Sequence, residues 1–110
     1  MPQAQYWKPL VQALRELGGT ASPKEAIARV GKIMENQLQE ADRALLASGE
    51  IRWIVNTRFA RNSLRELGLL YEKKPGIWEF TEAGHRFAES NPTHLPNPVP
   101  PEDPRQLRLF

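Results

Sequence analysis

Cysteine is absent from the sequence, which excludes a disulfide framework and any zinc site built on thiolates. No apolar run approaches the roughly 18 residues that a membrane span requires, and the first residues, MPQAQYWK, lack the apolar core of a secretory signal. Neither sign of charge dominates, because the sequence contains 15 Lys and Arg residues and 13 Asp and Glu residues. The net charge of +2 does not by itself indicate a nucleic-acid partner. We therefore expect a soluble cytoplasmic protein with no membrane partner, whose function depends on where its charges lie.

The 110 residues allow one domain with a short appendage, which excludes a multidomain enzyme. Six of the ten prolines fall between Pro92 and Pro104. Proline fixes φ and removes an N–H donor, so this stretch is expected to be extended polyproline II. The sequence therefore predicts a folded domain over residues 1–90, a Pro-rich linker over residues 91–105 and a terminal peptide over residues 106–110.

Two amphipathic helices are predicted in the first third of the chain. From Trp7, apolar residues recur at i, i+3, i+4 and i+7 until Gly18-Gly19 ends the pattern. The segment Ser22-Pro23-Lys24-Glu25 then combines an N-cap serine, proline at the first helical position and glutamate at N3. Glycine costs roughly 1 kcal/mol inside a helix, so Gly31 in the second helix predicts close packing at that point.

A third helix is predicted from Arg52 to Leu67, after a connecting loop. At about 100° per residue, three arginines fall within about 60° of arc. The opposite side of the helix is a broad sector that is predicted to face the core, and it contains Trp53, Phe59, Ala60, Ser63, Leu64 and Leu67. Phe59 is therefore expected to be a core residue. The basic side contains Arg58, Arg61 and Arg65, and we assign Thr57 and Asn62 to it.

A β-hairpin is predicted after Gly68, with strands over residues 69–72 and 77–80 and a four-residue turn, Lys73-Lys74-Pro75-Gly76. Thr81 is expected to cap a short helix that ends before Asn91-Pro92, and Thr20-Ala21 is expected to add a minimal third strand. The fold class is therefore α+β and mainly α. Its order of three helices, a two-stranded wing hairpin and a short C-terminal helix, followed by an extended Pro-rich tail, is that of a winged helix-turn-helix domain.

The basic helix face and the wing tip together predict an interface for double-stranded DNA. Arginine and lysine neutralise phosphates, and threonine and asparagine hydrogen-bond to base edges or to the DNA backbone. The predicted DNA-binding residues are Thr57, Arg58, Arg61, Asn62, Arg65, Lys73 and Lys74. The alternative is that these cations are the ordinary solvated face of a helix.

A resemblance to a known family extends over almost all of residues 1–90. The residues that carry it are Gly18-Gly19, Ala21-Ser22, Glu25, Met34, Ala41-Asp42, Gly49, Arg52-Trp53, Asn56, Phe59-Ala60-Arg61, Leu64, Gly68-Leu69-Leu70, Gly76-x-Trp78 and Thr81-Glu82-x-Gly84. In this pattern the chain resembles the Mrr N-terminal domain, which in Mrr-type restriction proteins precedes a nuclease domain. The resemblance implies a winged helix that contacts DNA, and it does not imply cleavage, since no metal-dependent nuclease constellation is present in the sequence.

No catalytic site is evident in the sequence. The two histidines, His85 and His94, have no nucleophile or carboxylate grouped near them, and the acidic residues around the connecting loop do not have calcium-loop spacing. No glycine-rich phosphate loop is present. We therefore expect a protein that is not an enzyme and that has no cofactor and no metal ion.

Residues 106–110, QLRLF, resemble the peptide by which bacterial polymerases and repair proteins dock on the β sliding clamp. The matching positions are Gln106, Leu107, Leu109 and Phe110. Three apolar anchors on an extended strand, with a glutamine for orientation, suit such docking. Packing of this peptide on its own domain, and chance composition of a disordered end, are the alternatives.

The function predicted from the sequence is a non-catalytic DNA-binding module tethered to the replication clamp, acting in replication, repair or defence and associated with the nucleoid when bound to DNA. One alternative is a protein-interaction adaptor whose arginines meet an acidic partner. Another is a small transcription regulator that acts as a homodimer on a palindromic site.

Overall fold

The computed structural model describes residues 5–96, which form a helical layer and a small sheet. The helices are α1 (Trp7–Glu16), α2 (Pro23–Ile33), α3 (Arg52–Glu66) and α4 (Glu82–Glu89), with a short 3-10 helix (Ala41–Arg43) in the connection before α3. The strands are β1 (Thr20–Ala21), β2 (Leu70–Lys74) and β3 (Ile77–Phe80). This order confirms the predicted mainly helical α+β class and is compatible with a winged helix.

The sheet is antiparallel, with strand order β1-β3-β2. Thr20 pairs with Glu79, so the predicted third strand is confirmed. The predicted four-residue turn is wrong, because β2 continues to Lys74 and only Pro75-Gly76 separates the two strands. A register shift between Glu72 and Lys74 extends the pairing to Ile77, and Gly76 supplies the positive φ of +82° that the short turn requires. Lys73 and Lys74 are therefore strand residues of the wing.

Side-chain caps set the starts of α2 and α4, as predicted. Ser22 Oγ accepts a hydrogen bond from the Glu25 N–H at 3.2 Å and donates one to Glu25 Oε1 at 3.0 Å. Thr81 Oγ1 accepts from the Gly84 N–H at 3.0 Å and donates to the Gly68 carbonyl at 2.6 Å. Each cap satisfies an N–H group that the first helical turn leaves unpaired.

The hydrophobic core lies where α1, α2 and α3 meet the sheet. Its largest fully buried apolar side chains are Tyr6, Leu10, Leu14, Val30, Met34 and Leu64, and the sheet adds Trp78 and Phe80. At Gly31 a β-carbon would lie 2.8 Å from the indole of Trp53. This confirms the close packing predicted at Gly31 and explains why α2 tolerates a glycine there.

A buried polar contact joins the start of α1 to the connection before α3. The Tyr6 hydroxyl donates to Asp42 Oδ1 at 3.4 Å, and the Gln39 N–H donates to Asp42 Oδ2 at 2.9 Å. Burial and the nearby Asp42 carboxylate raise the pKa of Tyr6 above its ordinary value. The contact fixes the connection from which α3 emerges.

The described chain continues past the predicted boundary at residue 90. Leu95 is half-buried and packs on the hydrophobic core, and the boundary between domain and linker stays a prediction. The terminal peptide, with Gln106, Leu107, Leu109 and Phe110, lies outside the described residues. None of the helices in residues 5–96 combines the length and the hydropathy that a membrane-spanning helix requires.

Candidate nucleic-acid interface

The position of α3 is set by a short antiparallel contact just before it. The Arg52 N–H donates to the Ala44 carbonyl at 3.0 Å, and Leu45 pairs with Ile51 in an isolated bridge. Ile51 has extended backbone, with φ −81° and ψ 131°, and the helix begins at the next residue. The arginines of α3 are therefore carried by a helix whose first turn is anchored to the preceding loop.

Arg58 is held by a carboxylate from the loop that precedes α3. Its Nη1 lies 2.8 Å from Glu50 Oε1, and each side chain is 50% exposed. The other carboxylate oxygen of Glu50 accepts a hydrogen bond from Ser48 Oγ at 3.3 Å. Arg58 is thus accessible from solvent but already ion-paired.

Arg61 connects α3 to the wing. Its Nη1 lies 3.2 Å from Glu72 Oε1 on β2, and its guanidinium carbon lies 5.4 Å from the centre of the Trp78 ring on β3. The side chain is only 19% exposed, and its Nε is buried without a hydrogen-bond partner among the described residues. Arg61 therefore holds the hairpin against the helix and offers little surface to a ligand.

Of the two wing lysines, one is ion-paired and the other has no carboxylate partner among the described residues. Lys73 Nζ lies 3.8 Å from Glu79 Oε1, with 58% of the lysine side chain exposed. The Tyr71 hydroxyl donates to Glu79 Oε2, and this hydrogen bond raises the pKa of Tyr71 above its ordinary value. Lys74 is exposed, and no carboxylate lies within 4.0 Å of it in residues 5–96.

Arg65 and Arg52 are also exposed cations without a carboxylate partner in that range. Arg65 is one of the predicted DNA-binding residues, whereas Arg52 is not. Arg52 is the first residue of α3, and residues at the start of a recognition helix are the ones that contact base edges in helix-turn-helix proteins. That rule, applied to the predicted helix start, was the signal that could have identified Arg52.

The assignment of Thr57 to the basic side is wrong. Thr57 is fully buried, and its hydroxyl donates to the Trp53 carbonyl at 2.8 Å. The helical period already indicates this position, because Thr57 lies seven residues before Leu64, which brings the two side chains to within about 20° of each other. Its polar residue type suggested an exposed position, yet a threonine satisfies its hydroxyl on the preceding turn and remains in the core.

The prediction that Phe59 faces the core is also wrong, since its side chain is 49% exposed. Ser63 is half-buried, and its hydroxyl donates to the Phe59 carbonyl at 3.2 Å. Phe59 lies at the edge of a groove on the side of α3 that faces α1, lined in part by Trp7, Asn62 and Leu95. Asn62 is half-buried there, so it belongs to this groove and not to the Arg61 side of the helix.

A metal site is not formed by the described residues, because residues 5–96 contain no group of three or more His, Cys, Asp or Glu side chains placed to hold an ion. The predicted site residues that the structure brings together are cations. Arg58, Arg61 and Arg65 lie along one side of α3, and Arg61 joins that side to the hairpin that carries Lys73 and Lys74. This arrangement is chemically suited to an extended polyanion.

Comparison with known families identifies the described fold. The model of the Mrr N-terminal domain matches residues 4–90 of the chain. The matched range contains every helix and strand from α1 to α4, whereas Leu95 and the peptide at residues 106–110 lie beyond it. No curated protein and no solved structure matches the chain.

Proposed function

Since the chain belongs to the Mrr N-terminal domain family, which is associated with restriction systems, we propose that it binds double-stranded DNA through α3 and the hairpin. The observation that carries this proposal is the row of exposed cations on these two elements. Arg65 and Lys74 have no carboxylate partner among the described residues, and Arg58 and Lys73 are at least half exposed. Phosphates are the ligands that such a row attracts.

In the proposed complex, α3 enters the major groove and the hairpin lies along the adjacent backbone. Arg58 and Arg65 contact phosphates or guanine edges, and Arg52 is the candidate reader at the start of the helix. Lys73 and Lys74 contact phosphates. Arg61 is a positioning residue, because its guanidinium is occupied by Glu72 and Trp78.

A titration of fluorescently labelled duplex DNA with the full chain tests this proposal. The variant Arg65→Ala/Lys74→Ala removes two of the exposed cations, and we expect weaker binding to every duplex sequence. The matched control is Lys8→Ala/Arg86→Ala, which removes the same charge from exposed positions on α1 and α4. Equal affinities of the two double variants would contradict the assignment of the interface to α3 and the hairpin.

We further propose that the protein does not itself cleave DNA. The match covers an N-terminal domain of the Mrr type, and the predicted site residues on α3 and the hairpin are the cations Arg58, Arg61, Arg65, Lys73 and Lys74. Incubation of the purified full chain with supercoiled plasmid and magnesium is expected to leave the plasmid intact. Nicking that copurifies with the protein and disappears in Arg65→Ala/Lys74→Ala would contradict this proposal.

A finer proposal concerns the peptide QLRLF at residues 106–110. Its support is the sequence: Leu107, Leu109 and Phe110 supply apolar anchors and Gln106 an orienting amide, at the four positions that define the clamp-binding peptide. Because Leu95 packs on the domain, ten residues separate it from Gln106, and they would span roughly 30 Å if extended. Docking on the bacterial β sliding clamp would keep the DNA-binding domain near DNA and strengthen two weak contacts through effective concentration.

Titration of the full chain against purified β clamp tests the tether. Leu107→Ala/Phe110→Ala is expected to abolish clamp binding, and Arg108→Ala, at the undefined position of the motif, is the matched control that should retain it. Thermal unfolding of the same variants separates docking from packing on the domain. If Leu107→Ala/Phe110→Ala lowers the melting temperature and the native chain does not bind the clamp, the peptide packs on its own domain.

A second candidate function is that of a protein-interaction adaptor, and the exposed Phe59 is the observation that favours it. An exposed aromatic side chain beside a groove is a typical anchor at protein interfaces. In this alternative the arginines meet an acidic partner. The substitution Phe59→Ser separates the two functions. If the arginine variants lose duplex binding and Phe59→Ser retains it, the result favours DNA binding. If the native chain does not bind duplex DNA, the result favours the adaptor.

A homodimer on a palindromic duplex, seen as two chains per site, would instead indicate the transcription regulator.

A further inference from the structure

We propose that Glu50 is an intramolecular competitor of DNA phosphate for Arg58, and that it limits the affinity of the interface for duplex DNA. This inference rests on the proposed function and names a regulating residue within the same site. Its basis is the 2.8 Å contact between Glu50 Oε1 and Arg58 Nη1, in which both side chains remain half exposed.

Glu50 is held in place from both sides. Its second carboxylate oxygen accepts from Ser48 Oγ at 3.3 Å, and its carbonyl accepts from the Leu46 N–H at 2.8 Å. The intervening Gly49 has a φ of +87°, which the turn requires. Glu50 is therefore carried by a hydrogen-bonded turn, and its carboxylate is shared between Ser48 and Arg58.

The exposure of the pair makes it replaceable. A phosphate that approaches α3 can reach the Arg58 guanidinium directly, and Glu50 then returns to solvent at small cost because it is already half hydrated. The pair of Arg61 and Glu72 behaves differently, because Arg61 is only 19% exposed and also stacks on Trp78. The Glu50 carboxylate thus competes with DNA, whereas the Glu72 carboxylate supports the fold.

The test is the affinity of the full chain for a labelled duplex after Glu50→Gln. We expect binding to strengthen about twofold to fivefold, the upper part of the range that exposed ion pairs contribute. The matched control is Glu82→Gln, which removes the same charge from the exposed pair of Glu82 and Arg86 on α4. Screening over about 8 Å at physiological salt limits the expected gain from that control to less than about 1.5-fold.

The same titration in an Arg58→Ala background shows whether Glu50 acts through Arg58. If it does, Glu50→Gln strengthens binding less in that background than in the native chain, where it also frees Arg58. If the gain in the Arg58→Ala background is at least as large, Glu50 acts only by repelling phosphate and the proposed competition is wrong. A native chain that binds DNA, with equal effects of Glu50→Gln and Glu82→Gln, would also overturn it while leaving the proposed function intact. If no variant binds duplex DNA, the proposed function itself fails.

Discussion

Substitution of Arg61 distinguishes a cation that supports the fold from cations that are free to bind a ligand. In Arg61→Ala the guanidinium contact with Trp78 is lost, which contributes about 0.5–2 kcal/mol, and the pair with Glu72 is lost, which contributes up to about 1 kcal/mol. Packing of the aliphatic stem is lost as well. Relief of the buried, unpartnered Nε offsets part of this loss. Because Glu72 is 39% exposed and remains hydrated, we expect a net loss of about 2 kcal/mol in the free energy of unfolding.

Urea unfolding followed by circular dichroism at 222 nm measures this loss. The control is Arg65→Ala, on the same helix and without a carboxylate partner among the described residues, and we expect it to change stability by less than about 0.5 kcal/mol. The order of the two variants should be reversed for DNA binding. Arg65→Ala should weaken duplex binding although it is fully folded, and Arg61→Ala should have the smaller direct effect. If Arg61→Ala and Arg65→Ala unfold at the same urea concentration, Arg61 does not hold the wing and the distinction is refuted.

Three further predictions concern stability and titration. In Gly84→Ala the new methyl group overlaps the Leu69 carbonyl oxygen, so the free energy of unfolding in urea should fall by about 2 kcal/mol although alanine is the better helix former. Unchanged or increased stability would contradict the packing of α4. Ser22→Ala removes the cap of α2 and should cost about 1 kcal/mol in the same assay, and no loss would mean that the cap is not formed in solution. Tyr6 and Tyr71 are the two tyrosines of the chain, and both have raised pKa values because the folded state favours the neutral hydroxyl. Their contribution to stability is complete below about pH 10 and is lost as the pH rises through the raised pKa values. The absorbance at 295 nm should therefore titrate at higher pH in the native protein than in urea.

Local signals in the sequence accounted for the elements of the fold. Ser22 and Thr81 have the cap contacts that their positions predicted, and the third helix begins at Arg52, as expected. Such features depend on residues close in sequence, so periodicity and capping rules describe them well. The length of the hairpin turn was missed because the register shift between Glu72 and Lys74 depends on pairing with the opposite strand.

The candidate site was less predictable, because its character depends on partners distant in sequence. Nothing local to Arg61 indicates that Trp78 and Glu72 will enclose it. Thr57 is a different case, since the helical period placed it beside Leu64 and residue type was given too much weight. Phe59 was assigned to the core because the helical period includes it in the apolar sector, and the structure leaves it half exposed.

The most direct test of the central claim is the salt dependence of duplex binding by the full chain and by Arg58→Ala. Each phosphate contact contributes about 0.9 to the slope of log K against log salt. The account predicts salt-sensitive binding for the native chain and a slope smaller by about 0.9 for Arg58→Ala, with weakening on every duplex tested. Binding whose slope is the same in both proteins would contradict the role of Arg58, and an absence of duplex binding at low salt would contradict the proposed function.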